Sequence, residues 1–230
     1  MLATQSLFRN IPGPIAEGGT ETEYTGYKVH TFLLADSGDD FVVNTTTAVD
    51  MMIVGGGGGS SDNSGGGVYA TGGSDVVIRR LALNRNRADL GGAFCFGDSS
   101  TIELNNGNIN LNNAENGGGI WASAITATIG AVSLQNNTAE NLGGSLHLSN
   151  NSHLVATDMV VMDNSAYRGG GISVFNSVAD FVGGEINNNY AWRGGGIFSI
   201  GSDLDFFSIT LTQNNSEDIG GGLLSISTNL

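Results

Sequence analysis

The sequence predicts an all-β protein whose main part is a right-handed parallel β-helix with about 26 residues and three strands in each coil. Three observations support this prediction. A glycine-rich word recurs at constant spacing, an asparagine recurs shortly before it, and short apolar runs are interrupted by Gly and Asn. Glycine supplies 37 of the 230 residues and charged residues only 13%, a composition typical of turn-rich β or repeat proteins.

The repeated word has two glycines, a small residue and an apolar residue. Its apolar position recurs every 25 or 26 residues, which indicates a solenoid. The apolar runs are too short for helices, so each coil is expected to consist of strands that pair with their equivalents one coil away. We expect the glycines at a tight corner that requires positive φ and close backbone packing. No word is followed by Lys-Ser or Lys-Thr, which disfavours a phosphate-binding loop. The words span residues 65–68, 91–94, 117–120, 143–146, 169–172, 194–197 and 220–223.

Three columns of residues repeat with the glycine word. The first is predicted to form an asparagine ladder that exchanges amide hydrogen bonds along the stack. Its members are Asn86, Asn112, Asn137, Asn164, Asn189 and Asn215. The second column is aliphatic and stands three residues before most of these asparagines: Leu83, Ile109, Leu134, Val161 and Ile186. The third marks a middle strand: Val76, Ile102, Ala127, Leu154, Ala179 and Leu204.

In the patterns GG[GAS][ILVF] and [ILV]xxN, the chain from Gly65 onward resembles the repeats of polymorphic outer-membrane proteins and related adhesin-type β-helices. It departs from them in two ways. The third residue of the word is usually Gly rather than Ala, and the residue before xxN is aliphatic rather than Phe. The resemblance implies the same β-helical fold.

A smaller module precedes the repeats. Residues 29–34, 41–43 and 49–54 are predicted strands, with turns between them. The words GGTETEY, YKVHTF, FVVN and VDMMIVGGGGG resemble, in this order, a glycine-rich β module of tailed-phage virion proteins. We therefore predict an attachment segment at 1–20, a β module at 21–60 that caps the solenoid, and the β-helix at 61–230. Its last coil is expected to be covered by another protein or by a second copy of the chain.

Charge and targeting signals restrict the partners. A net charge of −14 disfavours nucleic acid and anionic membranes as partners. The first twenty residues lack the basic and apolar stretches of a secretion signal, so we expect synthesis in a cytoplasm. The single cysteine, Cys95, excludes an internal disulfide and is predicted to be a small buried residue.

Few residues suggest catalysis. Asp180 and Asp205 are predicted to stack about 5 Å apart on an outward face, near the separation used by retaining glycosidases. We favour the simpler interpretation of solvated carboxylates, because no basic or histidine side chain is predicted beside them. His30 is expected to be structural. His147 and His153 fall in one coil without further ligands at zinc spacing, so no metal or other cofactor is predicted.

A binding surface is better supported. Tyr167-Arg168 and Trp192-Arg193 hold equivalent places before successive glycine words, so their side chains should stack, with Tyr190 nearby. Aromatic faces beside guanidinium groups suit sugar rings and acidic glycans. The alternative, which we weigh more heavily, is an ordinary ladder in which arginine packs on aromatic rings.

These observations predict a non-enzymatic structural and adhesive protein of a tailed-phage particle: a fibre, spike or capsid decoration protein located in the virion. Its expected partners are other virion proteins at the N-terminal segment, a second copy of the chain in a homo-oligomer, and host glycans. Two alternatives stay open: a polysaccharide depolymerase on a β-helix, and a self-assembling extracellular filament or adhesin subunit.

Overall fold

A computed structural model describes residues 65–227 and, nearer the N-terminus, the backbone of six strands within 4–52. The described residues form 27 strands and no helix. The six N-terminal strands are β1 (Thr4–Arg9), β2 (Ala16–Glu17), β3 (Thr20–Tyr24), β4 (Tyr27–Phe32), β5 (Val42–Val43) and β6 (Ala48–Met52).

The first coil of the solenoid has two strands, and each of the five that follow has three or four. In chain order they are β7 (Val68–Ala70), β8 (Asp75–Asn84), β9 (Phe94–Phe96), β10 (Thr101–Asn110), β11 (Asn113–Asn116), β12 (Ile120–Ser123), β13 (Thr126–Gln135), β14 (Thr138–Leu142), β15 (Leu146–Ser149), β16 (His153–Thr157), β17 (Val160–Met162), β18 (Ser165–Arg168), β19 (Ile172–Phe175), β20 (Val178–Val182), β21 (Glu185–Asn187), β22 (Tyr190–Arg193), β23 (Ile197–Ile200), β24 (Asp203–Phe207), β25 (Thr210–Thr212), β26 (Asn215–Ile219) and β27 (Leu223–Ile226).

The strands stack into three parallel sheets, which form the walls of the β-helix. Sheet 1 contains β8, β10, β13, β16, β20 and β24, together with β17, β21 and β25. Sheet 2 contains β11, β14, β18, β22 and β26, and sheet 3 runs from β7 to β27 through β9, β12, β15, β19 and β23. The predicted parallel β-helix, with about 26 residues per coil, is therefore confirmed.

The strand assignment within a coil differs in one respect from the prediction. The predicted middle strand and the predicted strand before the asparagine both belong to sheet 1, and in β8, β10 and β13 they run on as one ten-residue strand with a bend. Sheet 2 comes from the polar segment between the asparagine and the glycine word, for which no strand was predicted. That segment has little apolar alternation because only a small residue, such as Ala139 or Ala191, points inward.

Sheet 1 continues into the N-terminal strands. β6 pairs in parallel with β8, β1 pairs antiparallel with both β6 and β4, and β3 pairs antiparallel with β4. The first edge of sheet 1 is thus covered by backbone hydrogen bonding. Three of these strands, β4, β5 and β6, correspond to the strands predicted at 29–34, 41–43 and 49–54. The side chain of His30 lies outside the described residues, and the division at residues 20 and 60 stays a prediction.

The core is a continuous apolar column inside the three walls. The predicted middle-strand column is confirmed, since Ile102 pairs with Val76 and Ala127, and Ala179 pairs with Leu154 and Leu204. From sheet 3, residues such as Phe94, Ile120, Leu146, Ile172 and Ile197 are each at most 1% exposed. Every coil therefore buries its apolar residues against its equivalents above and below.

The glycine words occupy the corner between sheets 2 and 3, as predicted. Gly117 has a φ of 63°, in the left-handed region that favours glycine. A Cβ on Gly118 would lie 2.2 Å from the carbonyl oxygen of Gly144 in the next coil, which leaves no space for any side chain. The third position has slightly more space, and Ala93 and Ser145 occupy it in two of the coils.

The asparagine ladder is the internal polar feature of the fold. Asn137 Oδ1 accepts hydrogen bonds from both the backbone N and the Nδ2 of Asn112, each at 3.0 Å. Asn137 Nδ2 donates to Ile109 O at 2.9 Å and to Asn164 Oδ1 at 3.1 Å. The same pattern repeats from Asn112 to Asn189, so each of these amides satisfies buried backbone groups of the coil below it.

One member of the predicted ladder is wrong. Asn189 donates to Asn214 Oδ1, not to Asn215. Asn215 is the first residue of β26 and pairs with Tyr190 on the exposed sheet 2. The aliphatic column identifies the correct residue, because Leu211 stands three residues before Asn214 and pairs with Ile186.

Replacing Asn137 by Ala should destabilise the solenoid strongly. The substitution leaves Asn112 N–H and Nδ2 and the Ile109 carbonyl without their buried partner, so we expect the free energy of unfolding to fall by about 3 kcal/mol. Urea denaturation followed by circular dichroism measures this change. The matched control is Asn141→Ala, because Asn141 is exposed and bonds only Glu115 at the surface. Equal losses in the two variants would contradict a structural ladder.

Candidate functional site

Sheet 2 carries an exposed pair of aromatic rings in adjacent coils. Ala166 pairs with Ala191 and Arg168 with Arg193, so Tyr167 and Trp192 lie opposite each other between those pairs. Their ring centroids are 6.4 Å apart, with an interplanar angle of 7°. Tyr167 is 48% and Trp192 40% exposed, so the rings stand outward in parallel. The predicted stacking of these two side chains is confirmed.

Arg168 lies beside this ring pair without a charge partner. Its Cζ is 5.4 Å from the centroid of Tyr167 and 5.8 Å from that of Phe198 in the next coil. Its Nε is buried and donates no hydrogen bond to a described residue, and no ion pair to Arg168 occurs among the described residues. The guanidinium is therefore held by aromatic rings while its donors are left for another group.

The equivalent arginine in the next coil is neutralised. Arg193 Nε donates to Asp218 Oδ2 at 2.6 Å. Arg168 and Arg193 are the only Lys or Arg residues from position 88 to position 230. These two arginines are thus paired neighbours on sheet 2. In the part of the chain that the structure describes, only Arg193 has an ion-pair partner.

Tyr190 lies on β22, two residues before Trp192 of the ring pair. Its hydroxyl donates a short hydrogen bond to Glu217 Oε1 in the following coil. This hydrogen bond is the main cause that raises the pKa of Tyr190 above its ordinary value. Tyr190 belongs to the same exposed face as Trp192, but its hydroxyl is already occupied.

Asp180 and Asp205 are in register on the outer face of sheet 1, as predicted. The expectation that no histidine lies beside them is wrong, because His153 Nε2 is 3.3 Å from Asp180 Oδ2. His153 pairs with Val178, so it reaches Asp180 diagonally. A comparison of directly opposed residues misses this contact. His153 and Asp180 are 27 residues apart, two more than the 25 residues of this coil, and an offset of two residues corresponds to a diagonal neighbour on the same face.

The outer face of sheet 3 contains a buried histidine. His147 pairs with Trp121 below and Ser173 above, and its ring lies 5.5 Å from that of Phe175. His147 Nδ1 and Ser173 Oγ are 2.7 Å apart. Burial lowers the pKa of His147 to about 4, because the surroundings disfavour the charged ring. Ser173 is fully buried, so it cannot serve as an exposed nucleophile.

Within the described ranges, no group of three or more His, Cys, Asp or Glu side chains is arranged to hold a metal ion. None of the described residues belongs to a helix that could span a membrane. Cys95 is buried as predicted, and burial, together with the charge of Asp98, raises the pKa of its thiol to about 12.

Comparisons with known family models, with curated proteins and with solved structures find no match to this chain.

The buried His147 should make stability fall with acidity. Its pKa is lowered from 6.5 to about 4 in the folded chain. Between these two values, His147 is protonated in the unfolded chain and neutral in the folded chain, so acid favours unfolding. Between pH 7 and pH 5 this should remove about 2 kcal/mol from the free energy of unfolding. Urea denaturation at both pH values measures the loss. His147→Phe should reduce the loss by that amount, and an unchanged pH dependence would refute the assignment.

Proposed function

We propose that this protein is a non-enzymatic adhesive rod that binds carbohydrate through the sheet 2 face formed by Tyr167, Trp192 and Arg168. The observation that carries the proposal is the exposed parallel ring pair beside a guanidinium without an ion-pair partner. The β-helix supplies a rigid scaffold on which these side chains need little reordering when a ligand binds.

The ring pair suits the apolar face of a sugar. Tyr167 and Trp192 expose nearly half of their surfaces in one direction, and large exposed aromatic groups usually mark binding surfaces. Parallel rings on rigid neighbouring strands offer a platform along the solenoid axis. The stacked rings of Tyr167 and Trp192 still leave 48% and 40% of the two residues exposed, so a ligand can contact both.

Arg168 favours a ligand that carries carboxylate or sulfate groups. A guanidinium presents paired donors to a planar anion, and its position between the Tyr167 and Phe198 rings fixes the direction of those donors. The surrounding surface is strongly acidic, so an acidic polymer would be attracted at this patch and repelled elsewhere. The proposed ligand is therefore an acidic polysaccharide.

The biological setting in this proposal is the virion of a tailed phage, where the protein would act as a fibre, spike or capsid decoration protein. The support is the ordered resemblance of the N-terminal words to a phage virion module. Attachment through residues 1–20 and coverage of the last coil by a second copy or another virion protein belong to the same proposal.

Polysaccharide affinity electrophoresis tests the binding surface. The full chain should be retarded by an acidic polymer such as polygalacturonate, and Trp192→Ala should weaken that retardation about tenfold, because an aromatic contact of this kind contributes about 1 kcal/mol or more. Arg168→Gln should weaken binding to polygalacturonate but leave binding to its carboxyl-reduced form unchanged. Phe207→Ala is the control, since it removes an exposed ring from sheet 1. No retardation by a broad set of polysaccharides would refute the proposal.

A second candidate, a polysaccharide depolymerase, is favoured by the contact of His153 with Asp180 beside Asp205. In that case a carboxylate pair at about 5 Å would act as acid and nucleophile on a glycosidic bond. Release of reducing sugar from an acidic polysaccharide, lost in Asp180→Asn and retained in Asp158→Asn, would support the enzyme. We expect no release, because the carboxylates lie on an open sheet face where water is not excluded.

A further inference from the structure

The outer face of sheet 3 contains a notch with aromatic walls. Cys95 pairs with Tyr69 on one side and with Trp121 on the other, so a small residue separates two large rings along the stack. The next outward position, two residues on, is Gly97, which adds no side chain. The result is a cavity of about 220 Å³ lined by Tyr69, Thr71, Leu90, Cys95, Asp98 and Trp121, among others.

The floor of the notch is uncharged and apolar. Cys95 is 2% exposed, and its raised pKa of about 12 keeps the thiol protonated at neutral pH. Leu90 lies just before the glycine corner and closes one side. A ligand that enters the notch therefore exchanges water for aliphatic carbon and aromatic side chains above a buried thiol.

One carboxylate stands at the rim. Thr71 Oγ1 donates a short hydrogen bond to Asp98 Oδ2, which orients the carboxylate. Asp98 is exposed, yet its charge reaches the thiol of Cys95, so it lies close to the cavity. No Lys or Arg is among the described residues that line the notch. The field inside is thus negative, from the carboxylate and from the faces of the aromatic rings.

The two aromatic walls and the carboxylate suit a compact cation. Tyr69 and Trp121 line the same cavity as Asp98, and the Trp121 ring reaches over Gly97, where its Cζ3 lies 3.8 Å from the position that a Gly97 Cβ would take. A cation in this cavity is attracted to aromatic faces within roughly 6 Å and to the carboxylate. A neutral sugar would gain nothing from the carboxylate charge.

From this geometry we infer that the notch is a binding site for the methylated ammonium group of a small organic cation. The methyl groups would contact the rings of Tyr69 and Trp121, and the positive charge would be balanced by Asp98. The site lies on sheet 3, between the first coils, and is independent of the sheet 2 face in the proposed function. The same head group could come from a free amine such as choline or from a phosphocholine group, and the experiment distinguishes the two sources.

Calorimetric titration of the full chain with choline tests the inference. Choline should bind, and 3,3-dimethylbutan-1-ol, its uncharged carbon isostere, should bind at least about tenfold more weakly, because it lacks the charge. Added salt should weaken choline binding, since part of the attraction to the exposed Asp98 is screened. A separate titration with phosphocholine reports whether a neighbouring phosphate is tolerated beside Asp98. Tighter binding of choline identifies a free amine as the ligand, and tighter binding of phosphocholine identifies the phosphorylated head group.

Three variants complete the test. Trp121→Ala should weaken choline binding about tenfold. Asp98→Asn should weaken it several-fold and remove its salt dependence, and Asn tolerates the φ of 54° at this position, so folding is preserved. Trp192→Ala, on the other face, should bind choline as the unaltered chain does. Equal affinity for choline and its uncharged isostere, or unchanged binding in Asp98→Asn, would overturn the inference.

Discussion

The structure depends on one constraint: each strand must pair in parallel with its own equivalent one coil away. At a spacing of about 4.8 Å, the backbone of every coil then lies directly over the next, and every side chain meets the side chain of the same column. Each column can therefore hold only residue types that pack well next to the equivalent residues of the coils above and below. Asparagine satisfies this by donating in one direction and accepting in the other, and glycine satisfies it at the corner because backbone oxygens of the next coil fill the space of a Cβ.

The same constraint determines how a site can arise. A column repeats a similar residue by default, so a chemically useful group appears where neighbouring coils depart from the pattern. In the column just before the glycine word, Arg168 and Arg193 occupy the position that Leu142 occupies in the preceding coil. Cys95 is a small residue between Tyr69 and Trp121 in the mixed outer column of sheet 3. Both proposed sites therefore depend on differences between neighbouring coils, and both are held by the regular core beneath them.

The repeat made the fold and its period predictable from the sequence, because glycine and asparagine are needed at the same place in each coil. Prediction failed where the constraint is weaker. Sheet 2 has little apolar alternation, since small inward residues such as Ala191 are enough there, and its strands were missed. The sequence predicts Asn215 in place of Asn214 because the two asparagines are adjacent and this coil has 25 residues instead of 26. His153 was missed because its contact with Asp180 is diagonal.

The stacked columns also explain why the surface charge matters for binding. Like charges in adjacent coils lie about 5 Å apart, so a column of carboxylates or of arginines is costly unless counter-charges separate them. Arg193 is neutralised by Asp218, which lowers the repulsion on Arg168 without supplying it with a partner of its own. An anion placed at Arg168 would complete the alternation of charge along this column. The aromatic rings beside it add contact area without adding charge, which supports the proposed affinity of this face for an acidic polymer.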